Sequence, residues 1–148
     1  MFKIYYKTKQ CYLSLHSDGE KLLKVSFESK IGNDFSCEFL EESKRELDLY
    51  FSKKLKKFSI ALDIKGSDFE KSVYKALLEI PYGETRTYKQ IAEFIGKDRA
   101  YRAVGNANSK NDLAIFVPCH RVVASNGIGG YTGGLDIKRF LLETEGAL

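Results

Sequence analysis

Pro118-Cys119-His120-Arg121 sets a thiol beside an imidazole. Cysteine is the strongest side-chain nucleophile near neutral pH, because part of it is thiolate even without assistance. A neighbouring histidine, acting directly or through one water, raises that fraction. The chain has only two histidines, His16 and His120, so one of them at this position is informative. Ile115-Phe116-Val117 before the pair and Val122-Val123 after it predict a buried strand with the two groups at its mouth. Consecutive strand side chains point to opposite faces, so Cys119 and His120 can cooperate only if the backbone leaves strand geometry or a water bridges them. Pro118 favours such a break, since it lacks a ladder donor and fixes φ. The competing reading is a buried cysteine beside a surface histidine.

The other thiols, Cys11 and Cys37, complete an odd set of three with no disulfide or metal spacing. They point to a reducing, cytoplasmic setting. Cys11, His16 and Cys37 could supply three ligands of a zinc site, but no fourth is evident and no metal is predicted. Nor does any phosphate-binding loop or dinucleotide motif appear, so no cofactor is expected.

A length of 148 residues suits one domain or two small lobes, and 43% hydrophobic residues suffice for a core. No apolar run approaches the roughly 20 residues of a membrane span, and the first seven residues read as a strand, not a signal peptide. The net charge of +4 is unevenly spread. Between positions 86 and 121 lie Arg86, Lys89, Lys97, Arg99, Arg102, Lys110 and Arg121 against Glu93, Asp98 and Asp112, so this segment carries all of the excess. Such a patch fits a phosphate backbone as partner, and equally an ordinary solvated surface.

The elements that must position these groups follow from periodicity. Residues 2–6, 11–16, 21–28 and 35–38 read as short strands, with Asp18-Gly19 as a hairpin turn. Residues 39–51 repeat apolar side chains at helical spacing. Together they predict a structural α/β lobe over 1–62. Ser67-Asp68-Phe69-Glu70 is a capping box for a helix running to about residue 78, stopped by Ile80-Pro81-Tyr82-Gly83. Thr87-Tyr88-Lys89-Gln90 opens another short helix that Gly96 ends. Asp98 is then expected to cap a second helix carrying Arg99, Arg102, Ala103, Gly105 and Ala107. Two helices joined by a tight turn read as a helix-turn-helix or as a plain core hairpin. Small residues on the second would allow close approach to either DNA groove.

Thr87-Tyr88-Lys89-Gln90-Ile91-Ala92, Arg102-Ala103-Val104-Gly105, Asn111, Ile115-Phe116-Val117-Pro118-Cys119-His120-Arg121-Val122, Asn126-Gly127, Gly130-Tyr131-Thr132-Gly133-Gly134-Leu135 and Leu141-Leu142-Glu143-Thr144-Glu145-Gly146 occur in this order. The series resembles the alkylguanine-DNA alkyltransferases over residues 67–148; residues 1–66 resemble that family only as a strand-rich lobe of suitable length. The resemblance implies an α+β fold, in which a small ribonuclease H-like sheet with a helix packs on a mostly helical C-terminal domain (67–148). It implies that Cys119 accepts the alkyl group, that His120 takes the thiol proton through a water, and that Glu145 orients His120. Asn111 would brace the active-site loop and Tyr88 would donate to the departing guanine. Arg102 would enter the duplex in place of the extruded base, with Ala103, Arg99 and Arg121 also at the DNA. Val122, Tyr131 and Thr132 would line the base pocket. The implied partner is double-stranded DNA bearing O6-alkylguanine, met by a monomer without cofactor or membrane.

Chemistry agrees with that implication. An alkyl group on guanine O6 lies inside the base stack, so a thiolate reaches it only after the nucleotide is flipped out, at a cost of a few kcal/mol. The product thioether is cleaved by neither water nor thiols, so the protein should react once. The chain departs from the family pattern at Asp112, where proline is common, and in a loop at 126–131 that is one residue shorter than in many relatives. Alkyltransferase-like relatives replace the cysteine, commonly by tryptophan; this chain keeps Cys119 and has no tryptophan. Two other functions remain in view: a Cys-His hydrolase that turns over, and a helix-turn-helix regulator with an inert or alkylation-sensing cysteine.

Overall fold

Phe2–Lys7 (β1), Tyr12–Ser17 (β2) and Leu22–Glu28 (β3) form an antiparallel sheet in that order. The computed structural model describes residues 1–148 in two units, Met1–Asp63 and Ile64–Leu148. In the first unit, strand alternation buries Ile4 and Tyr6 of β1 and Leu13 and Leu15 of β2. A register irregularity at His16/Ser17 lets Leu22 and Val25, three residues apart, both be buried. The hairpin turn falls at Asp18-Gly19, where Gly19 takes φ +98°. Helix α1 (Glu38–Phe51) buries Leu40, Leu47 and Tyr50 and packs on β1 and β2. The Tyr6 hydroxyl donates to Asp48 at 2.7 Å. Buried Glu46 accepts from the Ser59 amide at 2.9 Å and from its hydroxyl.

The strand expected at 35–38 does not form. Phe35 makes a single bridge to Lys3, and the chain enters α1 at Glu38. The next free donor of the β1 edge, the Tyr5 amide, is taken by the Asp34 carboxylate at 2.9 Å, so the ladder stops there. Cys11, His16 and Cys37 are not gathered into a group able to hold a metal ion.

In the second unit both capping boxes are present. Ser67 and Glu70 exchange hydrogen bonds at the start of α2 (Asp68–Leu78), and Thr87 and Gln90 do so at the start of α3 (Tyr88–Phe94). Helix α2 buries Val73, Tyr74, Ala76 and Leu77, and α3 buries Ile91 and Ala92. Gly96 follows α3 at φ +76°, and α4 (Tyr101–Ser109) packs on both α2 and α3. Helix α4 starts later than expected. Its N-cap is Ala100, which makes no side-chain cap, so Asp98 does not cap it and Arg99 precedes it. A two-residue parallel pairing joins β4 (Arg86–Thr87) to β5 (Val122–Val123), and α5 (Leu135–Thr144) closes the unit. No helix is long and apolar enough to cross a membrane.

The strand expected before the Cys-His pair is absent. Residues 113–118 are wholly buried, but they turn: Ala114 bridges to Val117, the Val117 amide donates to the Leu113 carbonyl at 2.8 Å, and Ile115 sits at φ +76°. A β-branched residue in that region costs on the order of 1–3 kcal/mol and persists only where its surroundings enforce it. Here burial of the whole segment and the hydrogen bonds of Asn111 enforce it.

Candidate active site

Cys119, His120 and Arg121 form a single 3₁₀ turn, entered from Pro118. This is the break from strand geometry that the Cys-His pair required. Both side chains are buried: Cys119 is 5% exposed and His120 wholly enclosed. The turn is anchored from several sides. Asn111 accepts from the Leu113 amide at 2.9 Å and donates to the Val117 carbonyl at 2.8 Å, so one side chain spans the strained segment before the nucleophile. Asn108, on α4, donates to the Cys119 carbonyl at 3.3 Å. The Arg121 amide donates to the Pro118 carbonyl at 3.0 Å, and β5 pairs with β4 immediately beyond.

The imidazole has a defined polarity. His120 Nε2 lies 2.6 Å from a Glu145 carboxylate oxygen, whereas Nδ1 pairs with no protein group. Burial draws the imidazole below its ordinary value, more strongly than Glu145 pulls it up. The ring is therefore neutral near pH 7: Nε2–H donates to Glu145 and the Nδ1 lone pair is left to accept a proton. Burial by itself would raise the Glu145 carboxyl. The hydrogen bonds and charges of His120 and Arg121 outweigh it and hold Glu145 ionised far into acid. Arg121 reaches Glu145 with Nε at 2.8 Å and Nη2 at 3.0 Å, and its Nη1 donates to the Ile80 carbonyl at 2.8 Å. Burial also pushes the Cys119 thiol up, while hydrogen bonds from Asn111 and Tyr131 and the charge of Lys138 act in the other direction.

Beside the turn is a cavity of about 290 Å³, lined by Tyr88, Gly105, Asn108, Tyr131, Thr132 and neighbouring residues. That volume is at the small end of the range for small-molecule sites, roughly 300 Å³ upward. Asn108 and Tyr131 belong both to this cavity and to the surroundings of Cys119. Tyr88 starts α3, fixed by the Thr87 capping box, and its hydroxyl accepts from the Gly130 amide. Gly129, at φ +77°, permits this approach: a Cβ there would stand 3.1 Å from the Tyr88 hydroxyl and 3.1 Å from the Ala124 nitrogen. Thr132 donates to the Ser109 carbonyl at 3.1 Å and ties the cavity loop to the end of α4.

Two family models match in tandem: the 6-O-methylguanine DNA methyltransferase ribonuclease-like domain over residues 1–64 and its DNA-binding domain over residues 68–147. The chain belongs to the 6-O-methylguanine DNA methyltransferase family. A methylated-DNA–protein-cysteine methyltransferase of Methanosarcina barkeri is 61% identical over 108 residues, covering 72% of this chain and 68% of that protein. The protein of the same name from Methanosarcina acetivorans is 52% identical, covering 87% and 81%. The crystal structure of Mycobacterium tuberculosis OGT in complex with DNA superposes with a TM-score of 0.90 at 39% identity, covering 98% and 92%.

Within this methyltransferase chain, Cys119, His120, Glu145, Asn111, Val122 and Tyr131 lie close around the 3₁₀ turn, while Tyr88 and Thr132 line the adjoining cavity. Arg102 and Ala103 are exposed on the first turns of α4, and Arg99 is exposed ahead of it. Arg121 is misassigned by the sequence reading. It is 7% exposed and its guanidinium is spent on Glu145 and Ile80, with the Tyr82 ring 5.9 Å away, so it is an internal strut and not a DNA-facing base. Asn108 and Lys138 were missed. Asn108 sits three positions before Asn111 in a helix read only for its small residues, and Lys138 looks like any solvated helical lysine.

Proposed function

We propose that this chain removes the alkyl group of O6-alkylguanine in duplex DNA by transferring it once and irreversibly to Cys119. The observation that carries this reading is a buried thiol next in the chain to a buried imidazole that Glu145 holds through Nε2, leaving Nδ1 unpaired, beside a cavity walled by Tyr88, Tyr131 and Thr132. His120 takes the thiol proton at Nδ1 through a water, and Glu145 stabilises the imidazolium that results. The thiolate sulfur attacks the alkyl carbon. The S–C bond forms as the C–O6 bond breaks, and the electron pair returns to the guanine ring. Tyr88 donates toward that developing negative charge, and the proton held on His120 balances it. The thioether has no second step, so the nucleophile is not regenerated.

The unit 64–148 would bind DNA and carry the reaction, with Arg102 and Ala103 of α4 entering the minor groove and Arg102 filling the gap left by the flipped base. Val122, Tyr131 and Thr132 would hold the base. The unit 1–63 would be structural. The protein would act as a cytoplasmic monomer. The family match favours transfer over a Cys-His hydrolase, which the same buried Cys-His-Glu cluster would also serve, and the buried cluster gives a DNA-binding regulator no task.

The test is a turnover count. With a tenfold excess of O6-methylguanine duplex, repaired guanine should plateau at one equivalent per chain. Continued release would indicate a hydrolase, and DNA binding without any repair would indicate a regulator.

A further inference from the structure

Lys138, on α5, is fully enclosed at 0% exposure, yet the reaction described above gives it no task. Its Nζ donates to the Val122 carbonyl at 2.6 Å and to the Gly130 carbonyl at 3.0 Å. Those carbonyls belong to the two segments that bracket the site: β5, directly after the nucleophile, and the loop that delivers Tyr131 to the cavity. No carboxylate pairs with the ammonium. A buried cation held only by neutral acceptors is incompletely compensated. Burial accordingly draws the amine down to about 8, and the charge it senses in return is that of Cys119. The titratable groups within reach of its charge are Cys119, whose thiolate it favours, and His120, whose protonation it opposes.

Resting on the alkyl-transfer reading, we propose that Lys138 is a positioning residue for the reaction: its ammonium clamps the Val122 and Gly130 carbonyls together and is the counter-charge to the Cys119 thiolate. The proton leaves sulfur for His120, and the negative charge that the sulfur then carries is favoured by the buried Lys138 ammonium. Alkyl transfer converts sulfur to a neutral thioether and ends that attraction. By reciprocity, Lys138 then holds its own proton less tightly than before.

The test uses the full chain carrying Lys138→Met, which keeps side-chain length but removes donor and charge. Capture of Cys119 by iodoacetamide is followed against pH without DNA. The inflection should rise by roughly one unit, a tenfold smaller thiolate fraction at neutral pH. The saturating transfer rate from O6-methylguanine duplex should fall by a similar factor while duplex affinity is unchanged, and Lys138→Arg should restore part of the loss. A folded Lys138→Met chain with the wild-type profile overturns the proposal. Should Lys138→Met not fold, Lys138→Gln decides by the same capture profile: it keeps a donor for one carbonyl but no charge, so the inflection should again rise, and an inflection equal to wild type overturns the proposal. Failure of the wild-type chain to accept a methyl group would instead overturn the repair reading, and the iodoacetamide profile would still judge Lys138.

Discussion

Replacing Glu145 by Gln separates the structural from the chemical role of the buried cluster. Glu145 receives Arg121 at 2.8 and 3.0 Å and His120 at 2.6 Å, with almost no exposure for any of the three. The amide removes the charge and turns an NH₂ donor toward partners that are themselves donors. Breaking a buried pair by removing one member costs about 3–5 kcal/mol, because the remaining charge stays uncompensated. With a urea slope of about 2 kcal/mol per molar, the unfolding midpoint of the second unit should fall by about 2 M. The double variant Arg121→Met, Glu145→Gln leaves no stranded guanidinium and should recover most of that loss, a coupling of about 2 kcal/mol or more. Alkyl transfer should stay slow in both variants, since neither gives His120 a carboxylate. Additive effects of the two substitutions, or a loss below about 1 kcal/mol for Glu145→Gln, would refute the assignment of Arg121 and Glu145 as a coupled internal pair.

Cys119→Ala should abolish alkyl transfer while leaving duplex affinity, measured by fluorescence anisotropy, close to wild type. Arg102→Ala should slow reaction with duplex DNA far more than reaction with free O6-methylguanine, and equal losses would contradict the wedge role. Acid should destabilise the fold in two stages. His120 and Glu145 both hold protons less tightly when folded than their ordinary values of 6.5 and 4.5, so the unfolded chain binds more protons as pH falls. Stability should be full above about 6.5, decline below it through His120, and steepen below about 4.5, mainly through Glu145; in a urea series against pH, Glu145→Gln should show a shallower second stage, the remainder coming from Asp18, Glu42 and Glu70.

The first four helices, both capping boxes and the three paired strands were legible because each is encoded locally; helix α5 was not read, and Asn111, Tyr131 and Glu145 were named only through the family resemblance. Ser67 with Glu70 and Thr87 with Gln90 satisfy helix-end donors wherever the chain runs. The segment 113–118 was misread because a short apolar run specifies burial without specifying conformation. The turn at Ile115 is set by Asn111, four residues away, whose hydrogen bonds no periodicity announces. Arg121 was counted with the surface bases because charge is visible in sequence and its partner Glu145, 24 positions on, is not. Lys138 was overlooked for the same reason: what distinguishes it is a pair of backbone carbonyls supplied by two distant segments.

The central claim is that one sulfur receives the lesion's alkyl group and keeps it. Intact-mass and peptide-level mass spectrometry after incubation with O6-methylguanine duplex tests it most directly. The account predicts one added methyl group per chain, located on Cys119 and stable to thiol reductants. A chain that repairs the DNA without gaining mass, or that carries the methyl group on Cys11 or Cys37, would contradict it.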